Sequence, residues 1–215
     1  MVVGAPHAAA RVSLSGLYVL TPDIGDTGSL TVRVAAAIAG GATAIQYRNK
    51  TASPGLRLEQ ALALRGLCAV RGAMLIVNDD VELASAIAAD GVHLGRDDAT
   101  IAAARERLGP RALIGASCYD SLVRAEAAVV AGADYVAFGS FFASAVKPDA
   151  VRADTSLLSV AKMRWDVSVV AIGGITAANA GSLLAAGADS VAVLSAVFGA
   201  PDVKAAAREI ALLFT

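Results

Sequence analysis

The chain alternates between short apolar runs and longer segments whose apolar residues recur at helical spacing. The clearest run covers residues 74–77 and stops abruptly at Asn78, Asp79 and Asp80. An unbroken apolar run of this length is typical of a strand that is buried on both faces of a parallel sheet. The polar residues that follow it then lie at the carboxyl edge of the sheet, where α/β proteins place their active sites.

The same pattern predicts eight strands, each followed by a helix. The predicted strands cover residues 16–20, 44–47, 74–77, 91–94, 113–116, 135–138, 167–172 and 190–194. The predicted helices cover residues 29–39, 56–70, 81–88, 101–108, 121–130, 156–163, 177–186 and 203–213. Because no change in composition divides these units, the economical prediction is one α/β domain folded as a single (β/α)8 TIM barrel.

A short motif before every second strand supports this count. Ala-Gly-Gly-Ala at residues 39–42 recurs as Ala-Asp-Gly at 89–91 and as Ala-Gly-Ala-Asp at 131–134 and 186–189. A glycine just past a helix supplies the left-handed residue that ends the helix. Four-fold recurrence favours a closed eight-stranded barrel over an open doubly wound sheet.

Length and composition place limits on function. The 215 residues suffice for one core, predicted at residues 15–215 behind a frayed N-terminal tail at residues 1–14. A net charge of −1 gives no basic surface for nucleic acid or acidic lipid, and no apolar stretch is long enough to span a membrane. The first ten residues do not resemble a secretory signal, so we expect a cytoplasmic protein, and a homo-oligomer stays open. Cys68 and Cys118 show neither metal-ligand spacing nor a disulfide framework, and we expect both to be buried.

Polar residues at the end of the second predicted strand point to an anion site. Gln46, Arg48 and Lys50 alternate along the chain and share one direction if the strand geometry persists. Two cations and an amide directed into a barrel mouth suit a phosphate or a diphosphate.

Acidic residues follow the next two strands. Asp79 and Asp80 follow the third strand, and Asp97 and Asp98 lie in the loop after the fourth. Paired carboxylates on neighbouring strands can hold one Mg²⁺, so Mg²⁺ is the expected cofactor. The alternative is that Asp79 or Asp80 only caps the helix that begins at Val81.

The last two predicted strands indicate a second anion site. Gly173 and Gly174 end the seventh strand and Ser195 follows the eighth, where barrels commonly bind phosphate at a helix amino end. The alternative is that the glycine pair only makes a turn. Elsewhere, we expect His93 to be a hydrogen-bonded core residue rather than a base or a ligand, and Tyr18 to pack in the core.

Five short segments resemble the thiamine phosphate synthase family, in the same order along the chain. They are Gln-Tyr-Arg-Asn-Lys at 46–50, Val-Asn-Asp-Asp at 77–80, Gly-Val-His-Leu-Gly at 91–95, Ile-Gly-Gly-Ile at 172–175 and Val-Leu-Ser-Ala at 193–196. The resemblance runs from about residue 16 to residue 197. It implies a barrel enzyme that joins 4-amino-5-hydroxymethyl-2-methylpyrimidine diphosphate to 4-methyl-5-(β-hydroxyethyl)thiazole phosphate, requires Mg²⁺ and releases diphosphate.

The resemblance also implies roles for individual residues. The substrate-binding residues would be Gln46, Tyr47, Arg48, Asn49, Lys50, Asn78, Ser117, Ser144, Ala145, Val146, Lys147, Gly174, Leu194 and Ser195. Among them, Gln46 would contact the pyrimidine. The thiazole phosphate would be bound by residues 144–146, Gly174, Leu194 and Ser195. The diphosphate would be held by Arg48, Lys50, Asn78 and Lys147, and Ser117 would hydrogen-bond it as it leaves. The catalytic residues would be Arg48, Lys50, Ser117 and Lys147. Asp79 and Asp98 would be the ligands of Mg²⁺.

The sixth loop departs from the family pattern. Family members often carry Gly-Pro and then Pro-Thr-x-Thr-Lys, whereas residues 139–140 are Gly-Ser here and residues 143–147 are Ala-Ser-Ala-Val-Lys. Ser144 can replace a threonine hydroxyl, but Val146 offers none. Arg96 stands where a glutamine is usual.

The implied mechanism is a dissociative substitution. Mg²⁺ and the cations would stabilise the charge that builds on the leaving diphosphate, and the thiazole nitrogen would capture the cationic methylene of the pyrimidine. Two alternatives stay open: an isomerase like the related thiazole tautomerase, and a non-catalytic barrel that binds a phosphorylated thiamine precursor.

Overall fold

The strands of the computed structural model close into a parallel barrel in sequential order, with the first strand paired to the eighth. The structure describes residues 13–96, 98–143 and 152–215. The strands are β1 (Gly16–Leu20), β2 (Ala42–Tyr47), β3 (Met74–Asn78), β4 (Gly91–Leu94), β5 (Leu113–Tyr119), β6 (Tyr135–Phe138), β7 (Ser168–Ile172) and β8 (Ser190–Val193). The helices are α1 (Thr27–Ala39), α2 (Pro54–Arg71), α3 (Val81–Ala86), α4 (Ile101–Leu108), α5 (Leu122–Val130), α6 (Ser156–Arg164), α7 (Ala177–Ala185), α8 (Ser195–Phe198) and α9 (Val203–Ala211). The predicted (β/α)8 barrel is confirmed.

Polar residues determine where many of the helices begin. A side-chain oxygen accepts a hydrogen bond from the backbone N–H three residues further on at six helix starts, namely Asp26, Ser53, Asp80, Thr100, Ser121 and Asp202. Such caps satisfy backbone donors that the first helical turn leaves free. Asp80 therefore caps α3, which was one of the two alternatives for the acids after β3.

Alternate strand residues face two different cores. Residues such as Leu17 point outward and pack against the helices, and this layer also contains Cys68 and Cys118. Both cysteines are buried, as expected, and burial raises the pKa of both thiols to about 12. Residues between the outward ones, such as Tyr18 and Tyr135, fill the interior of the barrel. Because both faces are covered, the strands appear in the sequence as continuous apolar runs.

Several strand boundaries, and the start of the ordered barrel, differ from the predictions. Leu14, assigned to the tail, is fully buried and its N–H donates to Ser168 Oγ at 2.9 Å, so the ordered barrel begins before residue 15. β5 continues to Tyr119 rather than ending at residue 116, which places Ser117 inside the strand rather than after it.

Most helix boundaries also differ from the predictions by one or two residues, and one short helix was not predicted. α3 ends at Ala86 rather than residue 88 because Ala88 has a φ of 50°, which a right-handed helix does not accommodate. Ser195–Phe198 form α8, which is too short to show a periodic pattern in the sequence. α9 ends at Ala211 and a 3₁₀ turn follows. In the described ranges, no helix is long and apolar enough to cross a membrane.

In three of its four copies, the repeated motif ends a helix with a left-handed glycine, as predicted. Gly41, Gly132 and Gly187 have φ values of 109°, 96° and 107°. In the second copy the left-handed residue is Ala88 rather than Gly91, so the predicted position is wrong there by three residues. Ala88 lacks the conformational freedom that makes glycine suitable for this position.

The aspartates of the same motif anchor the N-terminal edge of the barrel. Asp90, Asp134 and Asp189 directly precede β4, β6 and β8. Each accepts a hydrogen bond of 2.8 Å from a backbone N–H of a neighbouring strand, with Leu75, Ile114 and Val169 as the respective donors. Each also pairs with a helix cation, respectively Arg65, Arg105 and Lys162, at 3.4, 2.5 and 2.6 Å. Each of these carboxylates is therefore paired within the protein.

Candidate active site

The loop after β2 is attached to the loop after β1 at the carboxyl edge of the barrel. Thr21 exchanges two hydrogen bonds of 2.9 Å with the backbone of Arg48. Asp23 pairs with the Arg48 guanidinium at 3.3 Å and accepts a hydrogen bond from the Lys50 N–H at 3.2 Å. These contacts hold the two predicted anion-binding cations at the rim. Neither Thr21 nor Asp23 was predicted, although both follow β1 as the other polar clusters follow their strands.

A cavity of about 440 Å³ lies between the ends of β2 and β3. Its lining brings together Arg48, Lys50, Asn78 and Asp79, which sequence analysis assigned to two different strand ends. The volume suits a small phosphorylated ligand. The cavity is also lined by Arg57 from the first turn of α2, a third cation that sequence analysis missed because it looks like an ordinary helix residue.

Asp79 has an unusual backbone conformation. Its φ of 64° lies in the left-handed region, and its N–H donates to the His93 carbonyl at 2.8 Å. Aspartate tolerates this region better than most residues, and such conformations concentrate at functional sites. Asp80 follows with its side chain already committed to the Leu83 N–H at 2.9 Å. The two neighbouring acids therefore have different roles.

Asp79 lies next to Asp98, the acid from the neighbouring strand end. Burial raises the pKa of Asp79 to about 6, with further contributions from a hydrogen bond to Asp98 and from its charge, while Lys50 lowers it. Asp98 also accepts a hydrogen bond from the Gly95 N–H at 2.5 Å. Two carboxylates this close favour a shared proton or a shared cation. Asp97 lies outside the described residues.

The carboxylate pair fits the requirements of Mg²⁺. In the described part of the chain, no group of three or more His, Cys, Asp or Glu side chains is arranged to hold a metal. Mg²⁺ does not need such a group, because proteins commonly hold it with one or two carboxylates while water and substrate phosphates complete its shell. The neighbouring cavity with its cations gives space for such a phosphate.

A buried polar network lies beneath this edge, inside the barrel. Gln46 Nε2 donates to the Tyr18 hydroxyl at 2.7 Å, which lies 3.2 Å from the Tyr135 hydroxyl. The Tyr135 hydroxyl lies 3.0 Å from His93 Nδ1, and His93 Nε2 lies 2.8 Å from Ser117 Oγ. Burial lowers the pKa of His93 to about 4. The expected hydrogen-bonded core histidine is confirmed, as is the packing of Tyr18.

Tyr47 and Asn49, also in the predicted substrate-binding set, have side chains that are engaged within the protein. Tyr47 donates to Gln60 Oε1 at 2.9 Å. Asn49 Nδ2 donates to the same oxygen and to the Ile24 carbonyl, both at 3.0 Å, and its Oδ1 accepts from the Ala52 N–H. These side chains shape the loop after β2. A ligand would therefore meet Asn49 through its backbone.

The glycine pair after β7 allows the loop after β6 to pass close by. Gly173 and Gly174 have φ values of 104° and 64°. The Phe142 N–H donates to the Gly173 carbonyl at 3.0 Å, and a Cβ at Gly174 would lie 2.4 Å from the Ala143 carbonyl oxygen. The pair therefore does more than make a turn. Beyond it, Leu194 and Ser195 form the start of α8.

The remaining part of the predicted thiazole phosphate site lies outside the described residues. This applies to Ser144, Ala145, Val146 and Lys147. Arg96, in the loop after β4, stacks on the ring of Tyr119 with its guanidinium carbon 5.1 Å from the ring centroid.

Comparison with known proteins gives a consistent result over most of the chain. A family model described as thiamine monophosphate synthase matches residues 17–197. A thiamine-phosphate synthase of Thiobacillus denitrificans is 57% identical over 204 residues, which cover 95% of this chain and 97% of that protein. One from Chromobacterium violaceum is 56% identical over 198 residues, covering 92% and 95%. The solved structure of a thiamine phosphate pyrophosphorylase from Pyrococcus furiosus has a TM-score of 0.83 and 39% identity, covering 93% of this chain and 95% of that one.

Proposed function

The chain belongs to the thiamine monophosphate synthase family and is a transferase of thiamine biosynthesis, and from this premise we propose its substrates and its mechanism. It joins 4-amino-5-hydroxymethyl-2-methylpyrimidine diphosphate to 4-methyl-5-(β-hydroxyethyl)thiazole phosphate. The bond between the pyrimidine methylene carbon and the diphosphate oxygen breaks, and the electron pair leaves with the diphosphate. The thiazole nitrogen then forms a bond to the same carbon, which gives thiamine phosphate.

The observation that carries this proposal is the charge pattern around the cavity between β2 and β3. Arg48, Lys50 and Arg57 line it together with Asp79. Cations alone would suit many anions, but cations beside a pair of carboxylates suit an anion that arrives with a divalent metal ion. A diphosphate leaving group has these properties.

The chain's own residues would stabilise the departure of the diphosphate. Arg48 and Lys50 would bind its oxygens, and their rim positions are maintained by Asp23. Because the loop that carries both cations is anchored to Asp23 before the reaction, the backbone needs little rearrangement as negative charge builds on the leaving group. Asp79 and Asp98 would hold Mg²⁺, which when bound supplies further neutralisation of the diphosphate oxygens.

No general base is required by this reaction. The thiazole nitrogen attacks with a lone pair that carries no proton, so no proton has to be removed before the bond forms. In the barrel interior, both ring nitrogens of His93 are already hydrogen-bonded to hydroxyl groups. This arrangement suits a positioning role better than proton abstraction from a substrate.

The test is diphosphate release by the purified chain. We expect release only when both substrates and Mg²⁺ are present. Arg48→Ala and Lys50→Ala should lower kcat by about 100-fold while leaving the KM for the thiazole phosphate nearly unchanged, because they stabilise charge that develops in the transition state.

Exposed cations elsewhere on the barrel provide matched controls. Arg71→Ala, at the end of α2, and Lys204→Ala, on α9, remove the same charges far from the cavity and should leave kcat unchanged. Binding of both substrates without diphosphate release would instead indicate a binding protein. Isomerisation of a thiazole without diphosphate release would indicate a tautomerase.

A further inference from the structure

The buried polar network beneath the mouth is a continuous hydrogen-bond chain across the barrel. It runs from Gln46 on β2 through Tyr18 on β1, Tyr135 on β6 and His93 on β4 to Ser117 on β5. Its first four members are each at most 9% exposed. We propose that this chain has one fixed direction, and that Tyr18, Tyr135 and His93 are positioning residues that make Ser117 a hydrogen-bond donor and Gln46 Oε1 an acceptor at the substrate site.

The direction follows from the number of protons in the chain. Gln46 donates its amide N–H to Tyr18, and a hydroxyl has a single proton, so Tyr18 donates onward to Tyr135. Tyr135 in turn donates to Nδ1 of His93, which leaves the ring proton on Nε2. Nε2 then donates to Ser117 Oγ, and the hydroxyl proton of Ser117 remains free. A reversed Gln46 amide would reverse every one of these bonds.

Only one of the two directions suits the substrate, an argument that rests on the proposed function. Phosphate oxygens without protons only accept hydrogen bonds, so Ser117 must donate if it contacts the diphosphate. In the same direction, Gln46 Oε1 has no donor among the described residues and can accept from an amino group such as that of the aminopyrimidine. Recognition of the amino group at one end of the chain and of the anion at the other are therefore coupled through Tyr18, Tyr135 and His93.

The packing of the rings keeps the chain rigid. His93 stacks on Tyr135 with ring centroids 5.5 Å apart and an interplanar angle of 22°, and Tyr18 meets Tyr135 edge-on at 87°. Gly115 makes room for this arrangement, because a Cβ there would lie 1.9 Å from the Cζ of Tyr135. Tyr135 is thus the junction of the chain, held between two rings and a glycine. Side chains that are fixed in this way can hold their neighbours in a reactive geometry.

The direct test is the tautomer of His93 in the ligand-free protein, measured by ¹⁵N NMR of the imidazole. The sequence contains only two histidines, so His7→Gln assigns the spectrum. We expect a protonated-type shift at Nε2 and an unprotonated-type shift at Nδ1. The opposite tautomer, with the proton on Nδ1, would overturn the proposed direction. This measurement involves no substrate, so its outcome is independent of whether the protein makes thiamine phosphate.

Removal of single hydroxyl groups tests whether the hydrogen-bond chain contributes to kcat. Tyr135→Phe keeps the ring but removes the donor to His93, so we expect a mixture of tautomers and a kcat lower by about 10-fold to 100-fold, as is typical when a group that orients a ligand-contacting side chain is removed. The KM for the thiazole phosphate should hardly change. Tyr18→Phe releases Gln46 and should mainly raise the KM for the pyrimidine diphosphate.

Tyr119→Phe is the matched control, because it removes a phenol hydroxyl from a partly exposed residue that takes no part in the hydrogen-bond chain. It should keep the tautomer of His93 and the kcat of the wild type. Folded Tyr135→Phe with the wild-type tautomer and wild-type kcat would overturn the positioning role. Wild-type protein with the expected tautomer but without synthase activity would instead contradict the proposed function alone.

Discussion

Three aspartates at the N-terminal edge of the barrel and the pair formed by Asp79 and Asp98 at the C-terminal edge have opposite surroundings. At the N-terminal edge, Asp90, Asp134 and Asp189 each meet a helix cation and a backbone N–H. At the C-terminal edge, Asp79 lies against Asp98, and burial together with that second acid raises the pKa of Asp79 to about 6. A matched carboxylate stabilises the fold, whereas two adjacent carboxylates favour the binding of a cation. In this molecule, the partners of an aspartate indicate whether it stabilises the fold or is available to bind a cation.

Left-handed backbone shows the same contrast. Asp79 at the C-terminal edge and Ala88 near the N-terminal edge both have positive φ values, 64° and 50°. Aspartate can offset part of the cost with local hydrogen bonds, and strain at a functional site is common. Alanine has no such compensation. Strain at Ala88 should therefore be removable without loss of function.

The largest expected effect is on turnover at the C-terminal edge. Asp79→Ala and Asp98→Ala should each lower kcat by about 100-fold or more and raise the Mg²⁺ concentration that activity requires, because each removes a ligand for the ion beside the diphosphate. Steady-state diphosphate release over a Mg²⁺ series measures this, with thermal melting to verify the fold. Wild-type activity of both variants at low Mg²⁺ would show that these acids do not hold the metal.

The matching change at the N-terminal edge should affect stability instead. Asp134→Ala removes the acceptor of the Ile114 N–H and the partner of Arg105. We expect a free energy of unfolding lower by about 2 kcal/mol, since a partly buried donor and a cation lose their partner. Chemical denaturation measures it. The kcat of the folded variant should match the wild type, and a loss as large as that of Asp79→Ala would remove the distinction between the edges.

A smaller effect concerns the pH dependence of stability in metal-free protein. Because the pKa of Asp79 is raised in the folded state, ionisation favours unfolding as the pH increases from 3.8 to about 6, and the cost is fully present above that range. Asp79→Asn should therefore be more stable than the wild type by about 1 kcal/mol at neutral pH, after allowance for screening by solvent at a half-buried group. Urea denaturation at several pH values should show the difference disappearing near pH 3.8. A difference that is constant with pH would mean that the carboxylate is not destabilised.

The smallest effect is expected from the left-handed residues of the repeat. Ala88→Gly should raise the free energy of unfolding by about 1 kcal/mol or less, because glycine adopts positive φ without steric cost. Gly132→Ala is the reverse change at the equivalent position, where an added Cβ would meet nothing within 4 Å. It should lower stability by a similar amount. Equal stability of both variants and the wild type, measured by denaturation, would show that φ at this position has little energetic weight.

Sequence analysis located the strand ends well but found only part of what meets there. The apolar runs predicted where Arg48, Lys50 and Asp79 emerge at the rim, but Gln46 lies within β2 and is buried in the barrel interior. Thr21, Asp23 and Arg57 were missed, because a threonine or aspartate after a strand and an arginine in a helix are common in any α/β protein. Their significance depends on which neighbours they reach.

The sequence pattern was sufficient to predict the closed barrel, the approximate bounds of its strands and helices, and the polar clusters at its carboxyl edge. These features depend on periodicity and on contacts between residues a few positions apart, which are visible in a linear pattern. Only the tertiary structure decided which acids are matched and how the interior polar groups connect. Tyr18 and Tyr135 are 117 positions apart and their hydroxyls meet at 3.2 Å, because closing the barrel brings β1 and β6 to the same interior space. No local pattern contains such a contact, since it exists only when all eight strands are in place.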